Sequence, residues 1–274
     1  MRRRTIRLLI VAVLFLCLGI WFGNKRIVTT EYSISSPALP KAFDGFRIVQ
    51  VSDLHNAKFG SDNHRLLDAV KEAAPDLIFI TGDLLDSRHT DEQTALDFVR
   101  EAVKLAPVYY SLGNHEGRIP EHYDPFALQL QELGVKILRN EAVTLEREGQ
   151  SLRIAGIDDP EFFVSEEDFL NTLNSLCQDE SYTLLLSHRP EIFADYCEAG
   201  PELVFSGHAH GGQFRLPFVG GLYAPHQGAF PEYDSGIFTA EETTLLVSRG
   251  LGNSAFPFRL FNRPELLVAV LSTE

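Results

Sequence analysis

The chain is poor in cysteine, poor in basic residues beyond its first 26 positions, and without internal repeats or low-complexity tracts. It has three cysteines in 274 residues, Cys17, Cys177 and Cys197, with no Cys-x-x-Cys pair. That count excludes a disulfide framework and a cysteine-held zinc site. Cys17 follows Leu14-Phe15-Leu16, which lacks the small residue of a lipoprotein cleavage site. The thiols read as unreactive, with a Cys177–Cys197 bridge left open for a domain outside the cytoplasm. Lysine and arginine total 24 against 38 acids, and six of the 24 (Arg2, Arg3, Arg4, Arg7, Lys25, Arg26) precede the first acid, Glu31. Without those six the balance is 18 against 38, or −20. A phosphate backbone repels such a surface, so no nucleic-acid partner is expected. With 45% hydrophobic and 23% charged residues the chain is not disordered, and its length suits one large α/β domain.

One long hydrophobic run is present. Leu8 to Gly23 is uncharged, follows four arginines and has no Ala-x-Ala-like cleavage site after it. Trp21 and Phe22 followed by Lys25 and Arg26 resemble an interfacial anchor, so retention as a single-pass membrane helix is expected. The run is shorter than a comfortable span of ~20 residues, which a thinned bilayer can accommodate. Four basic residues before it against two after it predict a cytoplasmic N-terminus and an extracytoplasmic domain in the cell membrane. The chain divides into residues 1–26 (basic tail and anchor, or uncleaved signal), 27–43 (linker and edge strand) and 44–274 (the main domain).

From residue 44 onward, short apolar runs alternate with helical patterns. The runs are 46–51, 77–81, 108–112, 135–138, 152–157, 182–186, 203–205, 243–247 and 266–271; helices are expected over 61–74, 91–105, 124–133, 165–176 and 190–197. This alternation implies an α/β fold with a mainly parallel central sheet and some antiparallel strands added.

Five of the runs end in metal-capable residues: Asp53-Leu54-His55, Gly82-Asp83, Gly113-Asn114-His115-Glu116, His188, and Gly207-His208-Ala209-His210. The carboxyl ends of parallel strands open onto a common crevice, so these distant residues converge. Gly82, Gly113 and Gly207 permit the turns that bring them close. The mixture of imidazole, carboxylate and amide oxygen suits Mn, Fe or Zn better than Ca or Mg.

The ordered motifs Asp-x-His, Gly-Asp, Gly-Asn-His-Glu, His and Gly-His-x-His resemble those of the calcineurin-like metallophosphoesterase family. His210-Gly211-Gly212-Gln213, Arg249-Gly250-Leu251-Gly252 and Asn262-Arg263-Pro264-Glu265 look like its small bacterial membrane-associated phosphodiesterase subgroup. The resemblance implies a four-layer sandwich of mixed β-sheets flanked by helices, and two divalent metal ions. Asp53, His55, Asp83 and His210 would hold one ion, and Asp83, Asn114, His188 and His208 the other, with Asp83 bridging. His115 is left as the catalytic non-ligand that protonates the leaving oxygen, with Glu116 orienting it. A hydroxide bridging the two metals would attack phosphorus in line.

Other residues are weighed for substrate or supporting roles. Asp86 is a partner for a metal-binding histidine or a helix cap; Gln213 and His226 lie in the stretch after the last motif; Arg215, Arg249 and Arg259 are either phosphate-binding or ordinary ion-pairing arginines. Most of the late aromatics Phe214, Phe218, Phe230, Tyr233, Phe256, Phe258 and Phe261 are expected in the core, with some walling a site for a lipid-linked substrate. The expected function is phosphodiester or phosphomonoester hydrolysis at the membrane surface. The alternative is a pyrophosphatase of the UDP-2,3-diacylglucosamine type, which a domain facing outward argues against. A nuclease is opposed by the acidity, and a non-catalytic scaffold by the complete motif set.

Overall fold

A computed structural model describes residues 2–178, 181–254 and 256–274, with the side chains of residues 2, 3, 12, 13, 15, 16 and 22 left aside. Part of the basic tail and the Phe22 half of the expected interfacial pair therefore lie outside the described residues.

The single central sheet inferred from the pattern of runs is in fact two. One has six strands in the order β1 (Val28–Ser35), Glu265–Ser272, β2 (Arg47–Val51), β3 (Leu77–Thr81), β4 (Val108–Ser111), β5 (Lys136–Ile137). The other runs Gly236–Ala240, Thr243–Val247, β9 (Leu203–Ser206), β8 (Thr183–Leu186), β7 (Gln150–Gly156), β6 (Glu141–Arg147). Both are mixed. β2, β3, β4 and β5 are parallel with Glu265–Ser272 antiparallel to β2, and β7, β8 and β9 are parallel with β6 and Gly236–Ala240 antiparallel at the edges. Runs buried on both faces carry no polar alternation, so they could not show which sheet they join.

Alternating side chains of each strand serve two cores. Ile48, Phe79, Leu184, Leu186, Phe205 and Leu267 meet between the sheets, where Phe79 and Phe205 pack edge to face at 5.0 Å. Val49, Val51, Ile78 and Ile80 point outward against α2 (His64–Glu72), α3 (Glu92–Ala102) and Phe126. Leu185, Val204 and Leu245 face Phe169, Leu173 and Phe193 on the opposite side. The layers are therefore helix, sheet, sheet, helix.

The helices start where local chemistry allows. Asp91 caps α3 by accepting from Thr94 N–H at 3.1 Å, and Ser165 caps Glu166–Cys177 by accepting from Asp168 N–H at 3.1 Å. The helix expected from 124 begins at Pro120, because a proline is tolerated in a first turn whose N–H groups lack partners. The three cysteines are free thiols.

The N-terminal run forms a helix, α1 (Arg2–Lys25). Among the described residues, however, no helix is long and apolar enough to cross a membrane. The uncharged stretch from Leu8 to Gly23 gives about 24 Å of helix, against a hydrocarbon core of about 30 Å. The expected single-pass anchor thus lacks a spanning helix to rest on. What α1 does show is a series of exposed apolar side chains, Leu8, Leu9, Ile10, Val11, Leu14, Leu18 and Trp21. Its last turn is pinned to the domain: Arg259 N–H donates to Asn24 Oδ1 at 2.7 Å, and Asn24 Nδ2 donates to the Arg259 carbonyl at 2.9 Å.

Candidate metal centre

β2, β3, β4, β8 and β9 deliver their C-terminal ends to one end of the sandwich, and the loops that follow interlock. Asp53 N–H donates to the Gly82 carbonyl at 3.1 Å, His55 N–H to the Asp83 carbonyl at 3.0 Å, and Gly207 N–H to the His188 carbonyl at 3.1 Å. Gln50, buried below them, ties the two sheets together by donating to Thr81 Oγ1 at 2.8 Å and the Ser206 carbonyl at 2.9 Å.

This closeness strains the backbone. Asp53, His55, Asp83, His208 and His210 all hold left-handed conformations, with φ between 44° and 63°. Each such residue costs on the order of 1 kcal/mol and persists only where its surroundings enforce it. Of the three glycines singled out for turning, Gly82 alone has a left-handed φ, +87°. Gly207 is needed instead for closeness, since a Cβ there would run into Ser52 and Asp53.

Seven side chains meet in this crowded space. Asp53, His55 and His210 form one group, and Asp83, His188 and His208 another, each with ligand atoms within 4.8 Å of one another. Asp83 Oδ2 stands between the groups, 3.5 Å from His55 Nε2 and 3.2 Å from His188 Nε2. Its other oxygen accepts from His115 N–H at 2.9 Å, which fixes the carboxylate plane. Asp53 is fixed similarly, accepting from Ser52 Oγ at 2.6 Å and from His208 N–H at 3.0 Å. Asn114 completes the set, its Oδ1 buried without a hydrogen-bond partner.

Facing nitrogens test whether the set fits a cation. His188 Nδ1 donates to the Thr81 carbonyl at 2.8 Å, so the neutral ring keeps a lone pair on Nε2, aimed at His208 Nδ1 3.1 Å away. His55 Nε2 and His210 Nε2 likewise face each other at 3.3 Å. Buried nitrogens and oxygens turned toward one another, with the Asn114 oxygen left over, are what a cation would satisfy. The charges agree. Burial disfavours protonating His188, but Asp83 and Asp53 outweigh it and push its pKa up to about 10, placing a proton where a cation would sit. Burial pushes Asp53 up to about 6 and His55 down to about 4.

His115 lies beside these groups, its ring centroid 4.5 Å from that of His55. Ser87 N–H donates to His115 Nδ1 at 3.0 Å, which leaves the neutral ring's proton on Nε2, near Ser254 Oγ at 3.3 Å. A cleft of about 150 Å³ opens here, lined by Asp83, Asn114, His115, His208, His210 and Gln213 together with Arg88, Arg118, His226, Ser254 and Phe256. Burial opposes a charge on His115, but Asp86, Asp83 and Glu116 together raise its pKa above the usual imidazole value.

Two expected supporting roles change hands. Glu116 does not orient His115; its carboxylate accepts from the N–H groups of Asp83, Leu85 and Gly113 at 2.8–3.0 Å and so shapes both loops. Asp86 lies 3.5 Å from His115 Nδ1 and is no helix cap, a task Asp91 performs. Arg249 is not at the cleft but pairs with buried Glu265 at 2.7 Å, and Arg215 pairs with Asp234 at 3.0 Å, so both are ion-pairing arginines. Gln213 lines the cleft while donating to the Phe258 carbonyl at 2.7 Å, and His226 lies 3.0 Å from His208 Nε2.

Arg259, weighed as a phosphate-binding or ion-pairing arginine, is instead buried with Nη2 3.2 Å from His210 Nδ1. Several groups escaped the sequence reading: Arg88 and Arg118 on the cleft, and buried Arg189 behind His226. Of these, only Arg189, which directly follows His188, carried a positional hint. Most of the late aromatics are also not core. Phe218, Phe230, Phe256, Phe258 and Phe261 are exposed, while Tyr233 is partly buried against Phe193 and Phe238; around Phe218 and Phe230 the strands are two residues long and offer no sheet face to cover.

The sequence profile of the calcineurin-like phosphoesterases matches residues 46–212. The chain belongs to the calcineurin-like phosphoesterase family. It is 32% identical over 254 residues to the uncharacterized metallophosphoesterase YkuE of Bacillus subtilis, covering 90% of this chain and 86% of that protein. It is 26% identical to the phosphodiesterase YaeI of Escherichia coli, covering 82% of each. A transmembrane protein with metallophosphoesterase domain from Danio rerio is 28% identical, matching 98% of this chain and 63% of that one. The TT1561 structure of Thermus thermophilus superposes with a TM-score of 0.52 at 13% identity, covering 75% of this chain and 90% of that one, a likeness of fold alone. This calcineurin-like phosphoesterase is a metal-dependent phosphoester hydrolase whose Asp/His clusters fit a divalent-metal centre.

Proposed function

We propose that the enzyme hydrolyses phosphodiesters, and phosphomonoesters less selectively, at a membrane surface. Asp53, His55, Asp83 and His210 would hold one cation and Asp83, Asn114, His188 and His208 the other. The observation that carries this reading is the pair of facing imidazole nitrogens in each group, with Asp83 Oδ2 between them. Two divalent cations, Mn, Fe or Zn by the donor chemistry, would supply charge to neutralise the phosphoryl oxygens and to acidify an attacking water.

The chain's own residues do the rest. His115 presents Nε2–H to the cleft and gives its proton to the departing oxygen, while Asp86 beside Nδ1 stabilises the charged ring before transfer. Arg88 lines the same cleft and attracts the ester's negative charge, which helps an acidic domain receive a phosphate, while Arg118 there is paired with Glu161 at 2.7 Å.

Membrane attachment is supported by α1, whose side chains Leu8, Leu9, Ile10, Val11, Leu14 and Leu18 are exposed along the helix. The basic residues ahead of it favour a cytoplasmic N-terminus and an extracytoplasmic domain, a topology that would require the short apolar stretch to cross a locally thinned bilayer. A lipid-linked phosphoester is supported by a groove of about 690 Å³ between the end of α1 and residues 251–253, 257 and 258, lined by Ile20, Trp21, Phe59, Leu251 and Phe258 and reaching His55.

The test is a substrate screen of the full chain in detergent with Mn²⁺, Zn²⁺ and Fe²⁺ supplied in turn. Hydrolysis of bis(p-nitrophenyl) phosphate, lost in Asp83→Ala and reduced in His115→Gln, is expected. Undiminished hydrolysis in both variants would refute the reading. A reporter fused after Glu274 tests topology, and activity of the reporter on the cytoplasmic side would reverse the orientation.

A further inference from the structure

Behind His208 lies a polar cluster that the metal groups do not use. The Arg189 side chain is 4% exposed and holds Asp159 through Nε at 2.5 Å and Nη2 at 2.8 Å, and Glu161 through Nη2 at 2.8 Å. Its Nη1 points the other way, 2.6 Å from His226 Nδ1 and 3.3 Å from Glu191 Oε1. His226 sits in the turn between the paired strands Tyr223–Ala224 and Gly228–Ala229, in a left-handed conformation with φ +62°, and its ring centroid lies 5.2 Å from that of His208 with the ring planes 28° apart.

Glu191, His208 and His226 together have the spacing of a third metal site. The Arg189 guanidinium already stands among them, so this place has its cation built in. A guanidinium only donates. His226 Nδ1 must therefore accept from Arg189, and the neutral ring carries its proton on Nε2, toward Glu161 Oε1 at 3.5 Å. His208 Nε2 lies 3.0 Å from the same Nδ1. An Nδ1 without hydrogen can only accept, so His208 must donate from Nε2.

We infer that Arg189 and His226 are positioning residues that fix the tautomer of His208: by holding its proton on Nε2, they leave the Nδ1 lone pair for the cation shared with His188. The inference rests on the reading of His208 as a metal ligand. Outer partners of a ligating imidazole commonly change metal affinity by about 10–100-fold. Arg189 is kept charged and oriented by its carboxylates, and His226 transmits that orientation one ring closer to the site.

The experiment uses the full chain in detergent, labelled with ¹⁵N-histidine. Long-range ¹⁵N–¹H correlation distinguishes Nε2–H from Nδ1–H rings, and loss of signals in His208→Ala identifies those of His208. The wild type is expected to show His208 as Nε2–H. In His226→Phe, which keeps a ring but removes the acceptor, His208 is expected to lose that single tautomer, and Zn²⁺ affinity to fall about 10–100-fold. In His226→Asn, whose amide oxygen can accept, both should return to within about 3-fold of wild type. An Nδ1–H ring at His208 in the wild type would overturn the inference without any variant. So would a His226→Phe protein with unchanged tautomer and affinity, or an Asn variant as weak as the Phe one. Zn²⁺ binding undiminished in His208→Ala would instead overturn the ligand reading, while the tautomer spectra would still judge the relay.

Discussion

The two halves of the metal centre use the same residue types and are held in opposite ways. In the His188–His208 half, the outer nitrogens are engaged by the Thr81 carbonyl and by the Arg189–His226 pair. The inner nitrogens are left with lone pairs facing each other. In the His55–His210 half, His55 Nδ1 is buried without a hydrogen-bond partner, and a buried guanidinium, Arg259 Nη2, approaches His210 Nδ1 to 3.2 Å. Burial draws the pKa of Arg259 down to about 10, against the pull of Asp53, so it remains charged at neutral pH. A donor at His210 Nδ1 favours a proton on the inner Nε2, and the fixed charge opposes a cation. One half is arranged to receive a cation and the other must rearrange. Ligand identity alone does not set affinity; what stands behind each imidazole does.

Asp83 belongs to both halves, so its loss should erase the distinction. Asp83→Ala is expected to lower kcat/KM for a chromogenic diester by at least about 10³-fold, corresponding to several kcal/mol of lost charge stabilisation. Metal analysis should find both cations weakened. Retention of either at wild-type affinity would break the picture of a carboxylate common to the two.

His115 belongs to neither half, and removing it sharpens the contrast from outside. His115→Gln should cost about 10²-fold in kcat or more, most with poorly acidic leaving groups, while leaving both cation affinities in place. A uniform loss across leaving groups would contradict its role as proton donor.

Arg259→Gln should narrow the difference by removing the buried charge. Affinity in the His55–His210 half is expected to rise several-fold, while the fold loses about 1–3 kcal/mol because Arg259 also donates to the carbonyls of Gly252 and Arg249. Calorimetric cation titration beside thermal unfolding checks both.

The smallest effect is in acid. Burial pushes Asp86 up, but the His115 ring, when protonated, and Arg88 N–H, which donates to the carboxylate at 2.8 Å, outweigh it and bring Asp86 down to about 2, below its usual 3.8. A depressed carboxylate contributes stability that is present above its unfolded value and lost as pH falls through the folded one. Asp86→Asn should therefore flatten the stability profile between about pH 4 and pH 2 and change little at pH 7. An unchanged acid profile would remove Asp86 from the support of His115.

Much of this was legible because the chemistry lies at strand ends. The run Leu77–Thr81 is a strand with the expected bounds, and each motif follows its strand directly. The division into two sheets was legible from the family resemblance but not from the pattern of runs, since residues such as Ile48 and Val49 are equally apolar though they face different cores. Asp86 stands beside His115 where Glu116 was expected, because sequence neighbourhood to His115 favoured Glu116, whereas the fold turns the Glu116 carboxylate toward the backbone of the β3 loop. Arg249 failed as a substrate group for a related reason: its partner, Glu265, is sixteen positions away and buried. The Arg189–Asp159 pair and the Arg259–His210 contact join loops distant in sequence, and no local pattern announces them.

The asymmetry is tested most directly by calorimetric titration of the full chain with Zn²⁺, alongside His208→Ala and His210→Ala. The account predicts two steps separated by about 10-fold or more in affinity, with the tighter step lost in His208→Ala and the weaker one in His210→Ala. Loss of the tighter step in His210→Ala, or two steps of equal affinity, would contradict it.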